Sequence, residues 1–118
     1  MLAKRGTDNA AAQEAYLQGR YFWSRFEPES FPKSIDAFNR AVELDPKFAL
    51  AYVGIADFNA WASIYGLIPP AIALPDALSA AERALELEPS LAEAHAAMGL
   101  YHSNMQEWHA AEQAYRKA

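Results

Sequence analysis

One segment of this chain occurs twice, and that repetition constrains the fold more than any other feature. Residues 41–52 and 84–95 share six of twelve positions, and most of the others keep their chemical type. Glu43-Leu44-Asp45-Pro46 returns as Glu86-Leu87-Glu88-Pro89. Each copy reads as the end of one helix, a proline stop and the start of another. Proline lacks a backbone donor and drives the residue before it out of helical geometry. A unit that recurs in this way buries its apolar face by stacking on its neighbours.

Apolar spacing supports helices on both sides of each stop. Ile35, Phe38, Ala41 and Val42 fall on one helical face with Leu44 close by, and Leu78, Ala81, Leu85 and Glu88 form a comparable strip. Ser90 with Glu93 three residues on reads as a capping box for a helix that starts just after Pro89. Asp8 or Asn9 reads as the cap of the first helix. Six helices are predicted, over about 9–26, 31–44, 47–64, 75–88, 90–105 and 107–118. The third is expected to end near Gly66 in a left-handed cap. Pro69, Pro70 and Pro75 exclude a regular helix between Gly66 and Pro75. That stretch reads as an insertion packing Leu67, Ile68, Ile72 and Leu74 against the helices. No strand candidate of useful length occurs, so the expected fold class is all-α.

Composition narrows the function classes. A chain of 118 residues, 53% hydrophobic and 21% charged, suits one compact domain with a core. The net charge of −5, with scattered basic residues, argues against a nucleic-acid backbone as the main partner. No apolar run approaches the roughly 20 residues that span a bilayer. Residues 1–8 read as a flexible lead-in without a signal-peptide core. The absence of cysteine excludes disulfides and cysteine-ligated zinc, and is compatible with a reducing, cytoplasmic compartment.

With these elements in place the chain resembles the tetratricopeptide repeat family, a helix–turn–helix unit with small residues where its helices touch and a proline near its end. Three repeats are read, at about 12–46, 47–89 and 90–118, the last incomplete. In the first, Gly19, Phe22, Ser34, Phe38, Ala41 and Pro46 match, with about three extra residues around 27–31. In the second, Tyr52, Ile55, Ala56, Ala77, Ala84 and Pro89 match, while Ala81 stands where an aromatic is usual and the proline-containing loop carries the extra length. In the third, Gly99, Ala111, Tyr115 and Ala118 take the small, small, aromatic and small positions. The run Gly19-Arg20-Tyr21-Phe22-Trp23, the Asp-Pro turn, the Pro-Pro loop and Leu91-Ala92-Glu93-Ala94-His95 are together similar to repeat segments of bacterial signalling proteins, among them kinases, cyclases and winged-helix transcription regulators. Ala118 falls mid-helix in this register, so a piece of a longer protein is expected.

The resemblance implies a right-handed superhelical array of antiparallel helix pairs, in which the first helix of each repeat lines a concave groove. Its groove positions fall on Gln13, Tyr16, Arg20, Trp23 and Ser24, then Leu50, Val53, Asp57, Ala60 and Trp61, then Glu93, Ala96, Leu100, Ser103 and Asn104. The eight expected to carry partner binding are Tyr16, Arg20, Trp23, Val53, Asp57, Trp61, Leu100 and Asn104. Tryptophan, tyrosine and arginine are enriched among binding hot spots. The competing reading makes Trp23 and Trp61 packing residues and pairs Arg20 with Asp57 across the repeats. Glu93 and Ala97 stand where grooves that grip a C-terminal carboxylate need basic residues, so a free acidic tail is disfavoured.

No catalytic constellation is found. His95 and His102 share a helix face but lie about 10.5 Å apart along the axis, too far to share an ion at zinc–nitrogen distances of about 2 Å. His109 lies across an expected turn. No phosphate-binding glycine loop or activated nucleophile is present, and no metal or cofactor is expected. The reading is a protein- or peptide-binding scaffold rather than an enzyme. The alternatives are self-association through the open C-terminal end and, behind it, a small-ligand sensor.

Overall fold

The computed structural model describes residues 7–117, apart from the side chains of Ala111, Glu112, Tyr115 and Lys117. It is all-α: α1 (Ala10–Arg25), α2 (Ser30–Leu44), α3 (Ala49–Ile64), α4 (Pro70–Leu87) and α5 (Ala92–Lys117), with no strand among the described residues. Helix α1 packs on α2, and α3 on α4. Helix α3 also meets α1 and α2, while α5 lies against α3 and α4; α2 and α4 do not meet. Among the described residues no helix is long and apolar enough to cross a membrane.

The repeated segments form matching turns. After α2, Asp45 N–H donates to Ala41 O and Phe48 N–H to Asp45 O, and the Phe48 carbonyl then accepts from Ala51 and Tyr52. After α4, Glu88 N–H donates to Ala84 O and Leu91 N–H to Glu88 O, and the Leu91 carbonyl accepts from Ala94 and His95. Sequence repetition thus becomes repetition of hydrogen bonds. Helix α5 begins at Ala92, so Ser90 lies in the turn and not at the expected capping position.

Alanine sets how closely the helices approach. Ala12, Ala15, Ala41, Ala56, Ala77, Ala84 and Ala94 are buried at the crossings, and Phe48 and Leu74 are the large side chains fully enclosed there. Small side chains at a crossing bring helix axes toward the short end of the roughly 8–10 Å range. Phe38 fills the centre of the first hairpin. A β-carbon on Gly19 would fall 2.7 Å from its ring, and one on Gly54 would fall 2.6 Å from it. Both glycines are therefore required by the ring they receive.

Asn9, not Asp8, caps α1: its Oδ1 accepts from Ala12 N–H at 3.0 Å, and its Nδ2 donates to Leu44 O at 3.1 Å. Thr7 is buried and its hydroxyl donates to Asp45 Oδ2, so residues 7 and 9 bind the entering chain to the turn after α2. Flexibility was expected through residue 8; residues 1–6 lie outside the described part.

Gly66, at φ 76, ends α3 as expected. Leu67 N–H reaches back to Ala62 O at 2.8 Å and Gly66 N–H to Ser63 O at 3.2 Å, the paired bonds of a Schellman cap. The insertion that follows corrects one expectation. Helix α4 starts at Pro70, not near Pro75. Pro70 takes the first helical position, where a missing donor is no loss, and the Pro69 carbonyl accepts from both Ile72 and Ala73. Only Pro75 removes a ladder bond, and the extra turn buries Ala73 and Leu74. Ile68 is half-buried, while Leu67 and Ile72 stay exposed.

The second correction concerns the C-terminal part. No turn separates 90–105 from 107–118; α5 runs unbroken from Ala92 to Lys117. At 1.5 Å per residue its 26 residues extend about 39 Å. Residues 104–108 hold neither glycine nor proline, so nothing local stops the helix. The third hairpin is not formed. A β-carbon on Gly99 would meet nothing within 4 Å. Ala111 and Tyr115 lie on the continuous helix with side chains outside the described part, as is Ala118.

Candidate binding groove

Residues on α3 one helical turn apart face the same way, and those half a turn out face oppositely. Leu50, Val53, Gly54, Asp57 and Trp61 form one such stripe, with Tyr52, Ile55 and Asn59 on the reverse side. A cavity lies over each face.

The first, of about 310 Å³, is lined by Tyr16, Arg20 and Trp23 from α1, by Leu50, Val53, Asp57 and Trp61 from α3, and by Glu93 from α5, with Phe38, Gly54 and Phe58 completing it. Six of the eight expected residues thus meet in one hollow. They converge because α1 and α3 lie side by side, and a spacing of three or four residues holds each set on the facing stripe. The other two lie elsewhere. Asn104 is buried and its Nδ2 donates to Ala60 O at 3.1 Å, so its amide ties α5 to α3 instead of facing a partner. Leu100 is half-buried on α5 and does not line the hollow.

The tryptophans are packing residues that also line the hollow. Trp23 packs against Phe31 at 5.4 Å and Phe58 at 5.5 Å between ring centroids, and Trp61 stacks on Tyr65 at 5.8 Å. Each keeps part of its indole accessible in the cavity. The aromatic cluster continues outward through Phe26, whose ring is 5.3 Å from Tyr65. Phe26 closes α1 in the left-handed region, at φ 55, with its ring about half exposed. That conformation disfavours a bulky non-glycine residue.

Asp57 sets the electrostatics. Burial pushes its carboxyl up to about 6, against a partial opposing effect from the nearby Arg20 charge. The expected Arg20–Asp57 pair is not closed: no hydrogen bond or ion pair joins Asp57 to another described residue. Arg20 Nη1 instead donates to Tyr16 OH at 3.4 Å, with the guanidinium 5.9 Å from that ring's centre.

The second cavity, about 940 Å³, lies over the opposite face between α2 and α4. Ile35 and Val42 form one wall, Ile55 and Asn59 the floor, and Ser79 and Arg83 the other wall, with Leu67 and Ile68 of the insertion at its end. Two of its polar side chains are engaged: Asn59 Nδ2 donates to Ile55 O, and Arg83 pairs with Glu86 at 3.2 Å. The sequence reading missed this space because α2 and α4 are far apart in the chain and nothing local says that they stand apart. It also missed Phe58 and Gly54 as lining residues, although a lone glycine inside a helical pattern is itself a signal of close packing.

Among the described residues no three metal-ligating side chains lie together. His95 Nε2 donates to Pro89 O at 2.8 Å, across the turn before α5. Comparison of the chain with models of known families, with characterised proteins and with solved structures gave no match.

Proposed function

We propose that this chain is a tetratricopeptide-type scaffold that holds a peptide or protein segment in the groove between α1, α3 and α5, without catalysing a reaction. The observation that carries the reading is the convergence of Tyr16, Arg20, Trp23, Val53, Asp57 and Trp61, far apart in sequence, on one hollow. The matching turns and the glycine-to-phenylalanine contacts support the repeat assignment. Partly exposed indoles beside the separate charges of Arg20 and Asp57 supply both area and orientation to a bound segment. A superhelical array within a larger signalling protein is the architecture this reading implies, and the inference from fold to function is one of analogy.

Pull-down with the wild-type chain and with Trp61→Ala and Arg20→Ala tests it. Capture should fall at least several-fold in both variants, and unchanged capture would discard the groove. A second reading, a small-ligand sensor, is favoured by the 940 Å³ cavity, which is at the upper end of ligand-site volumes. A metabolite screen by thermal shift should then give stabilisation that Ile55→Trp abolishes.

A further inference from the structure

We infer that the groove selects segments bearing a lysine or arginine, whose cationic head sits on Asp57 in the hollow that Trp23 and Trp61 also line. The inference rests on the groove reading above and adds to it the charge of the occupant.

Three observations point the same way. First, Asp57 is a half-buried carboxylate with no hydrogen bond or ion pair to another described residue. A carboxylate withdrawn from water is disfavoured until a positive partner replaces the lost solvation. The upward push of its pKa, with burial as the larger cause and Arg20 only partly opposing, reports that shortfall. Second, Arg20 lines the same hollow without pairing with Asp57, its guanidinium turned onto Tyr16. Third, the remaining walls suit a long cationic side chain. Leu50, Val53 and Phe58, buried with little surface left, form an apolar base to the hollow, and the two half-buried indoles beside it are the surface on which an alkyl stem and its cation would rest.

The other occupants fit less well. An acidic side chain would bring a second negative charge beside the unpaired Asp57 carboxylate. A purely apolar side chain would expel water from Asp57 and give it nothing in return. Charge complementarity therefore favours the basic segment.

The test uses an array of random hexapeptides captured by the full chain, by Trp61→Ala and by Asp57→Asn. Captured peptides should be enriched in lysine and arginine, and both variants should lose them. Capture that depends on Trp61 but favours acidic or uncharged peptides would overturn the cation seat and leave the groove standing. Capture indifferent to Trp61 would overturn both. A blocked tetralysine peptide, followed by tryptophan fluorescence in a Trp108→Phe background, gives the quantitative check. Affinity should fall at least tenfold in Asp57→Asn and stay unchanged in Glu82→Gln, an exposed acid outside the hollow. Lowering the pH from 7.5 to 5 should weaken binding as Asp57 gains its proton. Arg20 and Tyr16 of α1 and Glu93 of α5 face the same space. The pH effect must therefore vanish in Asp57→Asn, and its persistence there would reassign it to one of those groups. Asp57→Asn removes a desolvated charge, so its melting temperature at neutral pH should not fall. Equal tetralysine affinity in a folded Asp57→Asn variant would refute the seat.

Discussion

The two hairpins α1–α2 and α3–α4 and the single rod α5 carry comparable sequence signals and end differently. Gly19 and Gly54 sit on helices whose neighbour returns, and the ring of Phe38 presses against both. Gly99 occupies on α5 the register of Gly19 on α1 and of the buried Ala56 on α3, and a β-carbon there would meet nothing within 4 Å. The turn chemistry explains the difference. Helix α1 stops at Phe26 in the left-handed region, with Pro28 two residues on, and α3 stops at Gly66 ahead of Pro69. At residues 104–108 no such residue interrupts the helix. After Asn104 no described residue of α5 is buried. A register of small residues shows where a helix can be touched; a turn signal decides whether the chain comes back to touch it.

The comparison can be broken most directly at Phe38. Its ring is 4% exposed and stands between two helices. Phe38→Ala should lower stability by about 3–5 kcal/mol in a urea titration. A loss below roughly 1 kcal/mol would mean that the hairpins are not locked there.

The next effect measures what stacking α1 on α3 costs the groove. Asp57 has a folded-state pKa of about 6, above the ordinary 3.8. A raised carboxyl pKa means that folding disfavours the charged form. The penalty is complete above about pH 6 and absent below the unfolded value, so this group's contribution to stability improves as pH falls from 7 to 4. Asp57→Asn should therefore stabilise the protein at pH 7 by up to about 3 kcal/mol and leave it unchanged near pH 4. Equal effects at the two pH values would contradict the burial argument.

The glycines sharpen the comparison further. Gly19→Ala and Gly54→Ala each drive a methyl into the Phe38 ring and should cost about 1–3 kcal/mol, read from denaturation midpoints. Gly99→Ala meets open space and gains helix propensity. It should stabilise by about 0.5–1 kcal/mol. A destabilising Gly99→Ala would show that a helix does pack there in solution.

Much of the fold was legible because its signals are local. The Asp45-Pro46 and Glu88-Pro89 stops, the Gly66 cap and the alanine-rich faces each act through neighbouring residues. Proline was over-read at 70 and 75, since a proline's effect depends on whether it falls in the first turn of a helix or beyond it, and that depends on where the helix starts. The expected turn near residue 106 rested on register alone and had no local chemistry behind it. At the groove, the α1 and α3 residues followed from their helical stripes. Asn104 did not, because Ala60 O takes up its amide once α5 is docked.

The sequence by itself determined an all-helical chain, the positions of its proline stops and the faces on which small and aromatic residues gather, because these follow from backbone sterics and from the 3.6-residue period. Tertiary structure alone decided that Asp57 is withdrawn from water without an ion partner, that a large space opens between α2 and α4, and that Asn104 is taken up by Ala60 O. Each of these depends on the distance between segments remote in the chain, and such distances are set only when whole helices pack.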